Sequence, residues 1–155
     1  MSYEELLEEA DNAGLIVKEK PLINNDGRCY GRNIAIRQDI STFAKKADVL
    51  AEEMGHYFTS VGRIVDQNTV GEVKQERAAR LWGYNKRIGL TGLLDAFRAH
   101  CENIHDIAEY LSVTEATLKE ALECYRQIYG TGIMVDNYFL QFEPNLQVHT
   151  MLFPK

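Results

Sequence analysis

The chain has 155 residues, a length typical of a single domain, and 45% of them are hydrophobic, which is enough to bury a sizeable core. Its formal net charge of -6 argues against nucleic acid or an anionic membrane surface as the main partner, because both require a basic footprint. No apolar run is long enough to cross a bilayer and no secretory signal pattern is present. The three cysteines lack C-x-x-C spacing, so we expect a cytoplasmic protein with free thiols.

The first forty residues predict a helix followed by a β-hairpin. Residues 2–14 combine an apolar helical face with a glycine at the position of a C-terminal cap. Residues 15–22 and 29–40 are rich in β-branched side chains, and the polar stretch 24–28 between them is typical of a turn. We therefore predict that these two strands pair directly with each other.

A long helix is predicted next, from a cap at Ser41 or Thr42 to about Phe58. Its apolar residues recur at spacings of four, three and four, as expected for one buried stripe. The stripe consists of Phe43, Ala47, Leu50 and Met54. Residues 60–71 are interpreted as a loop, and residues 72–87 as a second long helix.

The rest of the chain predicts three helices and a β tail. Residues 91–102 favour one helix, and residues 104–130 favour two helices joined at 112–114. Residues 132–153 alternate like two strands around a turn at 143–145. This order of elements predicts an α+β fold.

We predict a single domain over residues 1–155 with three parts. Residues 1–100 contain the hairpin and the helices of the candidate active site, residues 101–130 the helix pair, and residues 131–155 the β tail.

The candidate site lies on the first long helix, where residues 52–56 have the sequence Glu-Glu-Met-Gly-His. Residues four apart lie on one helical face, so Glu52 and His56 can bind one ion, while Glu53 is rotated by about 100°. Glu76, near the start of the second long helix, is a candidate third ligand. The alternative is a solvated charged face, with Glu76 as an ordinary acidic residue in a first helical turn. The remaining histidines, His100, His105 and His149, are interpreted as residues of the surface or of a cleft edge.

Two strings in this region carry a family resemblance. The sequence VLAEEMGHYFTSVGRIVDQ at 49–67, followed by KQERAARLW at 74–82, resembles the ImmA/IrrE family of zinc metallopeptidases of phages and mobile elements. The strand ending at 40 and the helix pair around 106–114 extend the resemblance over most of the chain. It implies a small zincin-like metallopeptidase domain.

The resemblance also implies roles for three residues. His56 and Glu76 would be metal ligands and Glu53 the catalytic base. Glu52 departs from the family, which mostly has histidine there, but a carboxylate can also bind zinc at about 2.0–2.2 Å. A set of two carboxylates and one imidazole suits zinc and also manganese or iron. We expect the ligand atoms of Glu52, His56 and Glu76 to lie within about 3–4 Å of one another.

The helix pair has the spacing of a DNA-binding helix-turn-helix. A DNA-binding, repressor-like function is therefore the rival interpretation of the chain. Residues 102–129 contain six acidic and two basic side chains, and a recognition helix with this net charge of -4 would be repelled by phosphate. The function expected from the resemblance is metal-dependent cleavage of a cytoplasmic protein, specifically a helix-turn-helix repressor of a phage or mobile element. The alternative is a non-catalytic protein of the same fold that binds the repressor without cutting it.

Overall fold

The chain folds into helices and two small sheets. The computed structural model describes residues 1–60 and 69–151. The predicted loop at 60–71 lies mostly outside these described residues. The six helices are α1 (Tyr3–Asn12), α2 (Phe43–Ser60), α3 (Thr69–Arg87), α4 (Gly89–Arg98), α5 (Ile104–Leu111) and α6 (Glu115–Tyr129). The six strands are β1 (Ile16–Lys20), β2 (Gly27–Tyr30), β3 (Asn33–Arg37), β4 (Gly132–Val135), β5 (Tyr138–Gln141) and β6 (Gln147–Thr150).

The N-terminal sheet has the strand order β1-β3-β2, which differs from the prediction. The predicted second strand is divided at Gly31 and Arg32 into β2 and β3, which form the hairpin. Gly31 has φ +58°, a left-handed conformation that glycine adopts without steric penalty and that allows this tight turn. β1 pairs with β3, so the two predicted strands do pair directly, but they run parallel, and the predicted antiparallel hairpin between them is wrong.

The first hydrophobic cluster lies between this sheet and helices α1 and α2. Ile34 and Ile36 of β3 point inward and are almost completely buried. Leu6 of α1 and Leu50 of α2 pack in the same cluster, and both have no exposed surface. β3 therefore packs against the buried face of α2 and fixes the position of the helix that carries the candidate site.

Helix α2 begins close to where the sequence predicts. Thr42 Oγ1 accepts a hydrogen bond from the backbone N–H of Lys45 at 3.2 Å, which caps the helix. Three members of the predicted apolar stripe, Ala47, Leu50 and Met54, are buried. Phe43 is 73% exposed, so its place in the stripe was wrong: it occupies the first helical residue, beyond the edge of the core.

The second hydrophobic cluster lies in the C-terminal half. It brings the inner faces of α5 and α6 together with strand β5, around the buried Tyr125, Leu118 and Leu140. Thr114 caps α6 by accepting a hydrogen bond from the N–H of Thr117 at 3.1 Å, as expected for a helix pair joined at 112–114.

The β tail has three antiparallel strands in the order β4-β5-β6, whereas the sequence predicted two. The additional turn lies at Asp136, which has φ +53°. Aspartate tolerates this left-handed conformation better than most residues. The turn was not predicted, because apolar and polar side chains alternate through it as they do in a strand. The architecture is α+β. No helix within residues 1–60 and 69–151 has the length and apolarity needed to span a membrane.

Candidate metal site

The candidate site lies where α2 and α3 pack with their backbones in close contact. A Cβ added at Gly55 would lie 2.2 Å from the carbonyl oxygen of Ala79, and one added at Gly83 would lie 3.3 Å from the carbonyl oxygen of Ala51. Because Gly55 faces Ala79 while Ala51 faces Gly83, the two helices are antiparallel. Small residues at these contacts allow side chains that flank them to reach across from one helix to the other.

Gly55→Ala is expected to force the two helices apart. An interior alanine usually favours a helix by up to about 1 kcal/mol over glycine. Here the contact with a backbone oxygen should reverse the sign and lower the free energy of unfolding by about 1–3 kcal/mol. Gly92→Ala is the matched control, because its Cβ would lie 3.4 Å from the side chain of Leu111, an ordinary contact. Urea denaturation of both variants measures the difference, and equal stability of Gly55→Ala and the parent would contradict the close packing.

Three potential metal-binding side chains meet across this contact, and we call Glu52, His56 and Glu76 the ligand cluster. Glu52 and His56 lie one turn apart on α2, and Glu76 reaches them from α3. One ligand atom from each residue lies within 4.8 Å of the others, and His56 Nε2 is 3.5 Å from Glu76 Oε1. The structure thus brings together all three residues singled out in the sequence: the separation of His56 from Glu76 falls within the expected 3–4 Å, and the whole set lies within 4.8 Å.

The ligand cluster is open to solvent. Its side chains are between 30% and 50% exposed, with His56 the least exposed and Glu76 the most. Ions in solution can therefore reach these ligand atoms directly.

Glu53 occupies a different environment from its neighbour Glu52. It points toward β2, where a Cβ added at Gly27 would lie 2.9 Å from Glu53 Cγ and 2.7 Å from Val49 Cγ1. The absence of a side chain at Gly27 thus makes room for the carboxylate. Burial, followed by the negative charges of Glu52 and Glu76, raises the pKa of Glu53 to about 7.

A cleft of about 480 Å³ opens beside Glu53 and His56. The residues that line it include Cys29, Thr59 and Gln75. Burial and then the charge of Glu53 raise the pKa of Cys29, which keeps this thiol protonated and makes it a poor nucleophile. Sequence reasoning missed Gly27 and Cys29, because only the packing of β2 against α2 brings them to the site.

Arg80 is the third residue at the site that sequence reasoning missed. Its Nε lies 3.6 Å from Glu52 Oε1 and 3.9 Å from Glu76 Oε2. The contact of Arg80 with Glu76 could have been predicted, because oppositely charged residues four apart meet on one helical face. The contact with Glu52 could not, because it joins two helices.

The donor set fits a divalent cation. Two carboxylates and one imidazole converge, a third carboxylate lies next to them, and Arg80 is the basic side chain paired with the cluster. Oxygen and imidazole ligands of this kind suit zinc, manganese and iron. Two other histidines have partners elsewhere: His105 lies 3.4 Å from Glu109 on α5, and His149 lies 3.1 Å from Gln141 in the β tail.

Searches against known protein families, curated proteins and solved structures find no match to this chain.

Proposed function

We propose that the chain is a metal-dependent endopeptidase with a zincin-like fold of the ImmA/IrrE type. The observation that carries this proposal is the convergence of Glu52, His56 and Glu76 within 4.8 Å beside an open cleft. The position of Glu53, next to the ligand cluster and facing the same cleft, supports a role as the catalytic base.

Zinc is the proposed metal, with manganese or iron as alternatives. His56 favours zinc, whereas the two carboxylates Glu52 and Glu76 make the set harder than that of most zinc peptidases. When bound, a divalent cation would act as a Lewis acid that polarises a carbonyl oxygen and lowers the pKa of water.

The chain's own residues would move the proton. Glu53 would accept a proton from the attacking water on a carboxylate oxygen and deliver it to the nitrogen of the leaving amine. A pKa of about 7 suits both steps near neutral pH, because the carboxyl group exchanges its proton readily in either direction. The partial burial of Glu53 beneath β2 would hold it in place for both transfers.

A polypeptide substrate is consistent with the strand next to the cleft. Within the described residues β2 pairs with β3 alone, so its other edge can hydrogen-bond to an extended peptide. Cys29 and Gly31, at the end of β2, both line the cleft. Together with the resemblance, this supports a cytoplasmic protein substrate, for which we propose a helix-turn-helix repressor of a phage or mobile element.

Incubation with zinc and the repressor encoded nearby tests the proposal. We expect one or a few fragments on a gel, and Glu76→Gln should lose both the bound zinc and the fragments. Glu72→Gln, an exposed change one turn earlier on α3, is the matched control and should retain both.

The alternative is a protein that binds the repressor without cutting it. The ion pairs of Arg80 with Glu52 and Glu76 favour it, because they can hold the ligand cluster together without metal. Association in a pull-down without fragments, with zinc present, would support this alternative and contradict the peptidase.

A further inference from the structure

The guanidinium of Arg80 competes with any metal for the same carboxylates. Glu52 and Glu76 each direct one oxygen toward it, at 3.6 and 3.9 Å from Nε, and both residues belong to the ligand cluster. Neither distance is short enough for a strong hydrogen bond, so the attraction is mainly between charges. A divalent cation bound to the cluster would be repelled by the arginine in its present position.

The negative charge of the ligand cluster explains why an arginine next to it is favourable. Glu52 and Glu76 lie close together with Glu53 next to them, and this concentration of negative charge is unfavourable without a cation. Arg80 neutralises part of it, and its position on α3 lets it reach both a residue of α2 and a residue of its own helix.

We propose that Arg80 is the resident counter-ion of the ligand cluster, which a divalent cation must displace in order to bind. This inference rests on the proposed function, because it assumes that the cluster takes up a metal. It makes Arg80 the residue that sets metal affinity: the arginine stabilises the metal-free protein and weakens metal binding.

Displacement of Arg80 is physically easy. Its side chain is 58% exposed and flexible, so it can turn away without disturbing the core. A third acidic partner is available, because Glu120 lines the same pocket of about 210 Å³ as Arg80. Tyr84 donates a hydrogen bond of 3.2 Å to Glu120, which holds that carboxylate at the pocket.

The test compares zinc affinity among three variants, measured by competition with a chelator at about 0.15 M salt, where distant charges are screened. Arg80→Gln removes the charge and should bind zinc about tenfold more tightly than the parent. Arg80→Lys keeps the charge and should remain within about threefold of the parent. Arg77→Gln, the same change at a neighbouring position of α3, should alter the affinity by less than about twofold.

A second readout is thermal stability, measured first without metal and then with zinc. In the presence of a chelator, Arg80→Gln should melt at a lower temperature than Arg77→Gln, because the carboxylates then repel one another without a counter-ion. Zinc should raise the melting temperature of Arg80→Gln more than that of the parent.

The outcomes separate this inference from the proposed function. Equal or weaker zinc binding by Arg80→Gln, or an equal gain in Arg77→Gln, would overturn the inference while leaving the metal site intact. Binding by Arg80→Gln alone would support it strongly. No binding by any variant would overturn both the inference and the peptidase.

Discussion

Glu53→Gln is expected to abolish the proposed cleavage and at the same time to stabilise the metal-free protein at alkaline pH. The amide fills the same space but cannot accept a proton, so the rate should fall by at least about a hundredfold. The stability gain follows from the raised pKa of Glu53, about 7 in the folded protein against 4.5 for an ordinary glutamate. The folded state holds this proton more tightly than the unfolded state, so the carboxyl group lowers stability as pH rises from about 4.5 to about 7.

The pKa difference corresponds to about 3 kcal/mol, and solvent screening at a partly exposed site reduces this to about 2 kcal/mol above pH 8. Urea denaturation with a chelator at pH 4.5 and pH 8 should show equal stability of both proteins at the lower pH and a more stable variant at the higher pH. Glu8→Gln, on the exposed face of α1, should show no such dependence. A constant difference across this pH range would contradict the raised pKa.

Asp48→Ala is expected to cost more stability than any surface change. Asp48 and Arg87 form a buried ion pair, 3.0 Å from Oδ1 to Nε, with side chains that are 5% and 1% exposed. Arg87 also donates hydrogen bonds to the carbonyl groups of Met1 and Ser112, and Asp48 accepts one from the N–H of Thr114 at 3.1 Å. Removing the carboxylate leaves a buried charge without its partner, which should lower the free energy of unfolding by about 3–5 kcal/mol.

A matched exposed pair provides the comparison. Asp95 and Arg98 lie 3.5 Å apart with about half of each side chain exposed, so Asp95→Ala should cost less than about 1 kcal/mol. Thermal denaturation of both variants measures the contrast. In a double-mutant cycle, Asp48→Ala combined with Arg87→Met should lose clearly less than the sum of the single changes. Additive losses would show that the two side chains act independently.

The helices were the most predictable part of the fold, because their signals are local. The cap at Thr42 and the buried residues Leu50 and Met54 follow from residue type and spacing along a few turns. The strands were less predictable. The pairing of β1 with β3 depends on contacts between segments distant in sequence, and short alternating runs do not reveal which neighbour they join.

The sequence by itself determined that Glu52 and His56 share one face of α2, because the period of the helix places residues four apart one above the other. Only the tertiary structure decided that Glu76 meets them, since this depends on the close approach of α2 and α3 at Gly55. The same packing of α2 and α3 brings Arg80 to the carboxylates of Glu52 and Glu76. The packing of β2 against α2 buries Glu53 next to Gly27. Spacing along one helix is a local property of the chain, whereas the charge and solvation around a side chain are set by every segment packed against it.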